Sequence, residues 1–141
     1  MRLVVDTNIL ISALLIETSL PARLILLWRQ GRFDLVSSAE QLDELMRVAR
    51  YPKVRERLNP ALAGRLINQL RELTIMTGRL PVVTACADPY DNYLLAMAEA
   101  VSADFLLTGD KRGLLSMQRH QGTRIITVRS FLEQQGHVSH G

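Results

Sequence analysis

Two aspartates follow short apolar runs of the kind that form buried strands. Asp6 comes directly after Leu3-Val4-Val5, and Asp110 follows Phe105-Leu106-Leu107 through a tight Thr108-Gly109 turn. Such runs are typical of parallel sheets, which bind their ligands at the carboxyl ends of the strands. A carboxylate buried at a strand end needs a cation, a metal ion or backbone amides as its partner. The simpler interpretation of Asp6 is a cap for the helix that follows it.

Two further carboxylates are expected near the same edge of the sheet. Asp91 begins a predicted helix that runs back from that edge, and Glu44 flanks the apolar face of another predicted helix beside Leu45. Four carboxylates that converge would repel one another strongly without a counter-ion. Oxygen ligands without Cys or His select hard cations such as Mg²⁺ or Mn²⁺. The alternative is four unrelated helix caps and surface acids.

The scaffold that must position these residues alternates strand and helix patterns. Besides the two strands above, further strands are predicted at 33–36, 74–77 and 124–127. Helices are predicted directly after the first strand, from Thr18 to about Gly31, from Ser38 to about Val48, from Pro60 onward, from Asp91 to Val101 and from Ser130 to Gln135. This alternation predicts an α/β fold, specifically a three-layer α/β/α sandwich with a mostly parallel sheet. No repeat or linker divides the chain, so residues 1–141 are expected to form a single domain.

Size and composition exclude several classes of protein. The chain has 141 residues, of which 48% are hydrophobic, and this suits one well-filled globular domain. No apolar run is long enough for a membrane span, and the N-terminus lacks the pattern of a signal peptide. The single cysteine, Cys86, fits a reducing compartment and offers no zinc-ligand spacing. We therefore expect a cytoplasmic protein without a membrane partner.

Positive charge is concentrated in one segment. The formal net charge of +3 is too small to predict nucleic-acid binding by itself. Five basic residues nevertheless fall close together, at Arg47, Arg50, Lys53, Arg55 and Arg57. From their number alone, a solvated helix face is the simpler interpretation.

Four short motifs, taken together, resemble the PIN-domain family. They are Val5-Asp6-Thr7-Asn8-Ile9-Leu10-Ile11-Ser12, Leu42-Asp43-Glu44-Leu45-Met46-Arg47-Val48, Asp88-Pro89-Tyr90-Asp91-Asn92 and Leu107-Thr108-Gly109-Asp110. Each motif is weak alone, but four in this order and spacing are specific. The resemblance extends from residue 1 to about residue 132, which we take as the core of the domain. The chain is most similar to the branch described as toxin components of prokaryotic toxin–antitoxin systems.

The resemblance implies a Rossmann-like sheet and a metal-dependent nuclease that usually acts on RNA. The acidic residues of the family match Asp6, Glu44, Asp91 and Asp110, as catalytic and metal-binding positions. Its supporting polar residues match Asn8 and Thr108.

Two of these assignments have a competing residue nearby. Asp88 lies three residues before Asp91 and could supply the third carboxylate instead. The family has an Asp followed seven residues later by Ala on one helix, which favours Asp91 with Ala98. Asp43 competes with Glu44, and the longer side chain on the flank of the apolar face favours Glu44.

The implied chemistry is Mg²⁺- or Mn²⁺-dependent hydrolysis of phosphodiester bonds in single-stranded RNA, with no side-chain nucleophile. In that context the basic segment gains a role in phosphate binding, through Arg47, Arg50, Lys53 and Arg55. Lys111 and Arg112, directly after Asp110, are expected to bind phosphate in the same way. One alternative is a catalytically inactive PIN-like domain that binds RNA or a partner. A second is a Mg²⁺-dependent phosphatase or signalling α/β domain.

Two protein partners are also expected. The resemblance implies a small antitoxin as a partner. The predicted helix after Pro21 is apolar on more than one side, because Leu24, Ile25, Leu26, Leu27 and Trp28 are consecutive. Burying all five in so small a domain is difficult, so we expect a homodimer with this helix at or near the interface.

Overall fold

A single sheet runs through the molecule, which a computed structural model describes over residues 1–86 and 88–137. Its strands are β1 (Arg2–Val5), β2 (Asp34–Ser37), β3 (Ile75–Met76), β4 (Phe105–Leu107), β5 (Arg119–His120) and β6 (Thr123–Ile126). Their order across the sheet is β3-β2-β1-β4-β6-β5. Neighbouring strands are parallel except β5 and β6, which pair antiparallel. The predicted mostly parallel sheet is therefore confirmed.

Helices fill the connections between the strands. They are α1 (Thr7–Leu15), α2 (Leu20–Arg29), α3 (Ala39–Ala49), α4 (Pro52–Arg55), α5 (Pro60–Leu73), α6 (Asn92–Val101), α7 (Leu114–Met117) and α8 (Val128–Gln134), with a 3-10 turn at Pro89–Asp91. Among the described residues, no single helix is long and apolar enough to cross a membrane, and α1 and α2 meet that criterion only as a pair bent by 98°.

The two faces of the sheet carry separate cores. Successive residues of a strand point to opposite faces, so Leu3 and Val5 belong to one core and Val4 to the other. The first core contains buried residues of α1, α2, α3, α5 and α8. The second contains buried residues of α6 and α7. Helices thus cover both faces, which confirms the three-layer α/β/α sandwich.

β1 lies at the point where the strand order changes direction. Val4 pairs with Val36 of β2 on one side and with Leu106 of β4 on the other. The backbone N–H of Asp6 continues the pairing by donating to the carbonyl oxygen of Leu107 at 2.9 Å. Loops that leave the sheet at such a point diverge and open a crevice at the carboxyl ends of the strands. This crevice holds the residues after β1 and β4.

Three short elements were not predicted from the sequence: α4, α7 and β5. The predicted end of α3 at about Val48 is confirmed, since the helix ends at Ala49. Pro52 then begins α4, because proline suits the first turn of a helix. Elements of two to four residues are too short to show periodicity. Thr127, expected as the last residue of a strand, instead caps α8 by accepting from the N–H of Ser130 at 3.0 Å.

The apolar helix α2 is buried more completely than we expected. Leu24, Ile25, Leu27 and Trp28 are all buried, and Trp28 is only 6% exposed. Packing against α1 and α8 covers two sides of the helix. Of the five consecutive apolar residues, only Leu26 is exposed, at 51%. Four of the five consecutive apolar residues are therefore buried within the chain itself, Leu26 is not, and the homodimer stays a prediction.

A buried glutamine ties the beginning of α3 to the end of β1. The Nε2 of Gln41 donates to the carbonyl oxygen of Val5 at 2.6 Å, and its Oε1 accepts from the hydroxyl of Ser37 at 2.8 Å. Ser38 caps the helix, as expected, by accepting from the N–H of Gln41 at 3.1 Å. The bond from Gln41 Nε2 satisfies the carbonyl oxygen of Val5, the last residue of β1 and the one immediately before Asp6.

We expect Gln41→Met to lower the free energy of unfolding by about 1–3 kcal/mol, because the buried carbonyl of Val5 and hydroxyl of Ser37 lose their partner. Urea denaturation of the purified protein measures this difference. Gln134→Met, on the exposed side of α8, is the matched control and should change the free energy by less than about 0.5 kcal/mol. Equal effects of the two substitutions would contradict a structural role for Gln41.

Candidate functional site

Asp6 uses its two carboxylate oxygens for different tasks. Oδ1 accepts from the backbone N–H of Asn8 at 3.0 Å and so caps α1. Oδ2 accepts from the hydroxyl of Thr108 at 2.8 Å. Asp6 as a whole is only 6% exposed, so these bonds replace much of the hydration of its carboxylate. The capping interpretation is correct for one oxygen, and the other faces the loop after β4.

Thr108 links that loop to the next acidic residue. Its hydroxyl donates to Asp6 and also accepts from the backbone N–H of Asp110 at 3.1 Å. Thr108 is fully buried, and its own N–H donates to the carbonyl oxygen of Ile126 at 3.1 Å. One hydroxyl therefore sets the position of Asp6 relative to Asp110.

Asp110 is held by the backbone at the start of α7. Its Oδ1 accepts from the N–H of Gly113 at 3.1 Å, and its Oδ2 accepts from the N–H of Leu114 at 3.3 Å. These bonds, that of Gly113 above all, hold the pKa of Asp110 below its ordinary value. A β-carbon at position 113 would lie 2.2 Å from Asp110 Oδ2, so a side chain there would displace this carboxylate.

Asp88 and Asp91 approach the same crevice from the 3-10 turn before α6. The carboxylate of Asp88 accepts from the N–H of Tyr90 at 3.0 Å and caps this turn. Asp91 is the last residue of the turn and directly precedes α6. The helix therefore begins at Asn92, one residue later than predicted. Asp91 is half-buried, whereas Asp88 is exposed.

These acids surround one open cavity of about 520 Å³. Its lining consists of Asp6, Asn8, Ile9, Ser12, Asp88, Asp91, Gly109 and Asp110. None of these described lining residues is Lys or Arg. The predicted carboxylates from β1, the 3-10 turn and β4 are thus brought together, and both Asp88 and Asp91 are present.

The electrostatics of Asp91 reflect this crowding. Its pKa is raised to about 7, first by burial, then by the charges of Asp6 and Asp88 and by its hydrogen bond to Asp110. Near neutral pH, Asp91 and Asp110 can therefore share a proton, with Asp91 as the donor. A carboxylate with this pKa lies where negative charge is not balanced by the protein.

Glu44 stands apart from the cavity. It is half-buried on α3, does not line the cavity, and is not among the charges that raise the pKa of Asp91. The pKa of Tyr93 on α6 is raised first by burial and then by the charge of Glu44. Asp43, the sequence competitor of Glu44, is exposed. Glu44 therefore does not share the cavity with the other predicted acids.

The basic residues divide into two groups. Lys111 and Arg112 are exposed in the turn directly after Asp110. Arg50 and Arg55 line a different groove of about 490 Å³ between α3, α4 and α5, whose remaining lining is apolar. Arg47 and Lys53 are exposed on α3 and α4. The larger basic segment thus does not line the acidic cavity.

Sequence reasoning missed one polar residue of the cavity, Ser12, and one beside the segment of Asp6, Tyr93. Ser12 lines the cavity and lies one helical turn after Asn8, so the spacing of four residues on α1 could have identified it. Tyr93 carries no such signal, because a tyrosine in the first turn of an amphipathic helix is ordinary. Its contact with Thr7 of α1 follows only from the tertiary fold.

The donor chemistry at the cavity fits a hard divalent cation. The ligand atoms available from Asp6, Asp91 and Asp110 are all oxygens, and their charge is uncompensated in the lining. Within residues 1–86 and 88–137, however, no group of three or more His, Cys, Asp or Glu side chains is placed closely enough to hold a metal ion as it stands. The carboxylates line one cavity, but their oxygens do not converge closely enough to coordinate one metal ion in this arrangement.

We expect Asp91→Asn to stabilise the protein at pH 8 in the presence of a chelator and to have little effect at pH 4. The pKa of Asp91 in the folded state, about 7, lies above its ordinary value of 3.8. Stability from the protonated form is therefore complete below about pH 4 and lost as the pH rises through 7. Melting temperatures at the two pH values measure the difference between variant and wild type.

Asp43→Asn is the control for this measurement, because Asp43 is exposed and one position from Glu44. It should shift the melting temperature equally at both pH values. A gain for Asp91→Asn that does not depend on pH would contradict the buried acidic cluster.

The comparison with known families agrees with this arrangement. A family model described as the PIN domain matches residues 2–112, which contain β1 to β4 and every acidic residue of the cavity. A search of curated proteins gives no significant match. PIN domains are generally nucleases, and the PIN fold is a nuclease-type fold. Since the match covers most of the sequence, the chain belongs to the PIN domain family.

Proposed function

We propose that this protein is a divalent-metal-dependent endoribonuclease that hydrolyses phosphodiester bonds of single-stranded RNA. The observation that carries the proposal is the cavity at the carboxyl ends of β1 and β4, where Asp6, Asp91 and Asp110 meet without a basic neighbour in the lining. Membership in a family of nucleases supports the type of reaction. Mg²⁺ or Mn²⁺ is the proposed cofactor, because oxygen donors select hard cations.

Asp6, Asp91 and Asp110 would hold the metal ion in this proposal. Asp6 is fixed by Thr108 and by the N-terminus of α1, and Asp110 is fixed by the N–H groups of Gly113 and Leu114. Asp91 would bind in its ionised form, so ion binding competes with the proton that its raised pKa favours. When bound, the ion would lower the pKa of a water molecule and neutralise charge on the phosphoryl group.

The remaining residues of the cavity have supporting roles in the proposal. Asn8 and Ser12 present polar side chains on the α1 side, where they can orient a water molecule or a phosphate oxygen. Asp88 is exposed at the rim and is bound to the turn through Tyr90, so we assign it a supporting role rather than that of a third ligand. Glu44 would support the site from outside the cavity.

RNA is the proposed substrate because phosphate contacts are available beside the cavity. Lys111 and Arg112 directly follow Asp110, and Arg47, Arg50, Lys53 and Arg55 form a second basic surface. Lys and Arg contacts to phosphates supply most of the affinity of sequence-independent binding. A toxin role with a small antitoxin partner, action in the cytoplasm and homodimer formation remain proposals that rest on the resemblance of the motifs.

We expect Asp6→Asn, Asp91→Asn and Asp110→Asn each to reduce Mg²⁺- or Mn²⁺-dependent cleavage of RNA by more than about 100-fold. The loss of an outer hydrogen-bonding partner of a metal ligand already costs about 10- to 100-fold, and these substitutions remove proposed ligands themselves. Glu44→Gln should cause a smaller loss, because Glu44 does not line the cavity. Cleavage of a fluorescent single-stranded RNA by purified protein measures each rate.

Asp43→Asn is the matched control and should cleave at the wild-type rate, since Asp43 is exposed beside Glu44. Full activity of Asp6→Asn would contradict the metal-site assignment. Binding of RNA by the wild type without any cleavage would favour the alternative of a catalytically inactive domain.

We expect the triple substitution of Arg50, Lys53 and Arg55 by Glu to weaken RNA binding and to flatten its salt dependence. Each lost phosphate contact should reduce the slope of log K against log salt by about 0.7 for a single strand. Fluorescence anisotropy at several salt concentrations, with the Asp6→Asn variant as the parent, measures the slope without cleavage.

The control for charge is a triple substitution of Arg32, Arg71 and Arg119 by Glu, all of them exposed and outside the proposed surface. It changes the net charge equally and should leave the slope closer to that of the parent. If both triple variants behave alike, the basic segment is a solvated face, and the phosphate contacts lie elsewhere.

A further inference from the structure

One aromatic ring stands in solvent beside the acidic cavity. Tyr90 is 83% exposed, whereas Trp28, Phe33 and Phe131 are buried. A single exposed aromatic residue is common on protein surfaces and indicates nothing by itself. Tyr90, however, is the middle residue of the 3-10 turn and directly precedes Asp91, which lines the cavity. The turn therefore presents this ring at the rim of the cavity rather than inside it.

The backbone of Tyr90 is held firmly in this place. Its N–H donates to the carboxylate of Asp88 at 3.0 Å, and the N–H of Asp91 donates to the carbonyl oxygen of Asp88 at 3.1 Å. Pro89 fixes one backbone angle of the same turn. A tyrosine side chain has only two torsions to restrict. Tyr90 therefore loses little conformational freedom when a ligand covers its ring.

The surroundings of Tyr90 indicate which ligand suits the ring. No Lys or Arg is among the described residues that line the cavity, so its carboxylates repel the phosphates of RNA until a cation is bound. Lys111 and Arg112 offset this repulsion where the chain leaves Asp110. Before α6, Tyr90 offers a face that stacks on any base. Because stacking does not depend on net charge, the neighbouring acids do not oppose it.

We propose that Tyr90 is a stacking platform for an unpaired base of the RNA substrate, at a nucleotide beside the phosphate in the cavity. The proposal rests on RNA as the substrate of the proposed nuclease. It adds a reason for a single strand, because a base in a duplex is already covered on both faces by its neighbours. Every base can stack, so this contact selects unpaired strands and not a sequence.

The test measures binding of a fluorescent single-stranded RNA to the Asp6→Asn protein, by anisotropy at several salt concentrations. We expect Tyr90→Ala in this parent to raise the Kd about 10-fold, as the loss of one stacked base does. The slope of log K against log salt should not change, because no phosphate contact is removed. Tyr90→Phe keeps the ring, so its Kd should stay within about 2-fold of the parent value.

Two controls separate stacking from other effects. Leu73→Ala removes an exposed apolar side chain before β3, at the opposite edge of the sheet, and should leave the Kd unchanged. A ribose phosphate oligomer without bases, equal in length and charge to the RNA, should bind equally to the parent and to Tyr90→Ala. Both variants should keep the melting temperature of the parent, since exposed substitutions rarely change stability.

Tyr90→Trp in the same parent reports the contact directly. The sequence contains one tryptophan, Trp28, and its burial makes its emission a constant background. Stacking on a base quenches the emission of an indole ring. The emission of Tyr90→Trp should therefore fall as RNA saturates the protein, while that of the parent should not.

The stacking role is overturned by any of four results: parent-like affinity of Tyr90→Ala, a flatter salt slope, equally weak binding by Tyr90→Phe, or constant emission of Tyr90→Trp. Parent-like affinity of Tyr90→Ala, with normal cleavage by the wild type, would leave the proposed function standing and the ring free for a protein partner. A wild type that binds RNA through Tyr90 but cleaves none would overturn the nuclease alone. Absence of RNA binding by every protein would overturn both, so the failures are distinguishable.

Discussion

The hydrogen bond from Thr108 to Asp6 is the contact on which the arrangement of the site depends. A carboxylate at the end of a buried strand loses water on most sides, and it stays there only if the protein supplies donors. Here the donors are the N–H of Asn8 and the hydroxyl of Thr108. Because Thr108 also accepts from the N–H of Asp110, the distance between two acidic residues is set by one buried side chain rather than by two flexible loops.

The charges of the molecule are segregated. The acids converge where β1 and β4 end, and Asp6 and Asp110 accept from hydroxyl and backbone N–H groups there. The groove beside α4 instead combines arginines with an apolar floor. Dipoles stabilise the acids without cancelling their charge. The negative potential of the cavity is therefore available to a mobile cation, and a fixed arginine in the lining would have removed it.

The sequence predicted the frame of the protein well because that frame follows from local rules. Apolar runs identify β1 and β4, and parallel strands must present Asp6 and Asp110 at one edge. The cap at Ser38 was likewise visible from the chain itself. Each of these features can be recognised from the few residues on either side of it in the sequence.

Features that depend on contacts between layers were less visible. The hydrogen bond between Tyr93 and Thr7 requires α1 and α6 to meet, and no spacing along the chain encodes that meeting. The apolar residues of α2 are consecutive, and only the packing of α1 and α8 decides that Leu24, Ile25, Leu27 and Trp28 are buried and Leu26 is not. The separation of Arg50 and Arg55 from the cavity depends on α4, a single turn without periodicity.

Gly113 shows how a site can constrain a residue that takes no part in the chemistry. Its backbone angles, φ −98° and ψ −98°, do not lie in the left-handed region, so the space already occupied by Asp110 Oδ2 is what excludes a side chain. The sequence can hold a β-carbon at 113 or this carboxylate at 110, but not both in their present places. Among relatives of this chain, a larger residue at 113 should therefore accompany a lost or displaced acid at 110, and the pair would reveal that change without any assay.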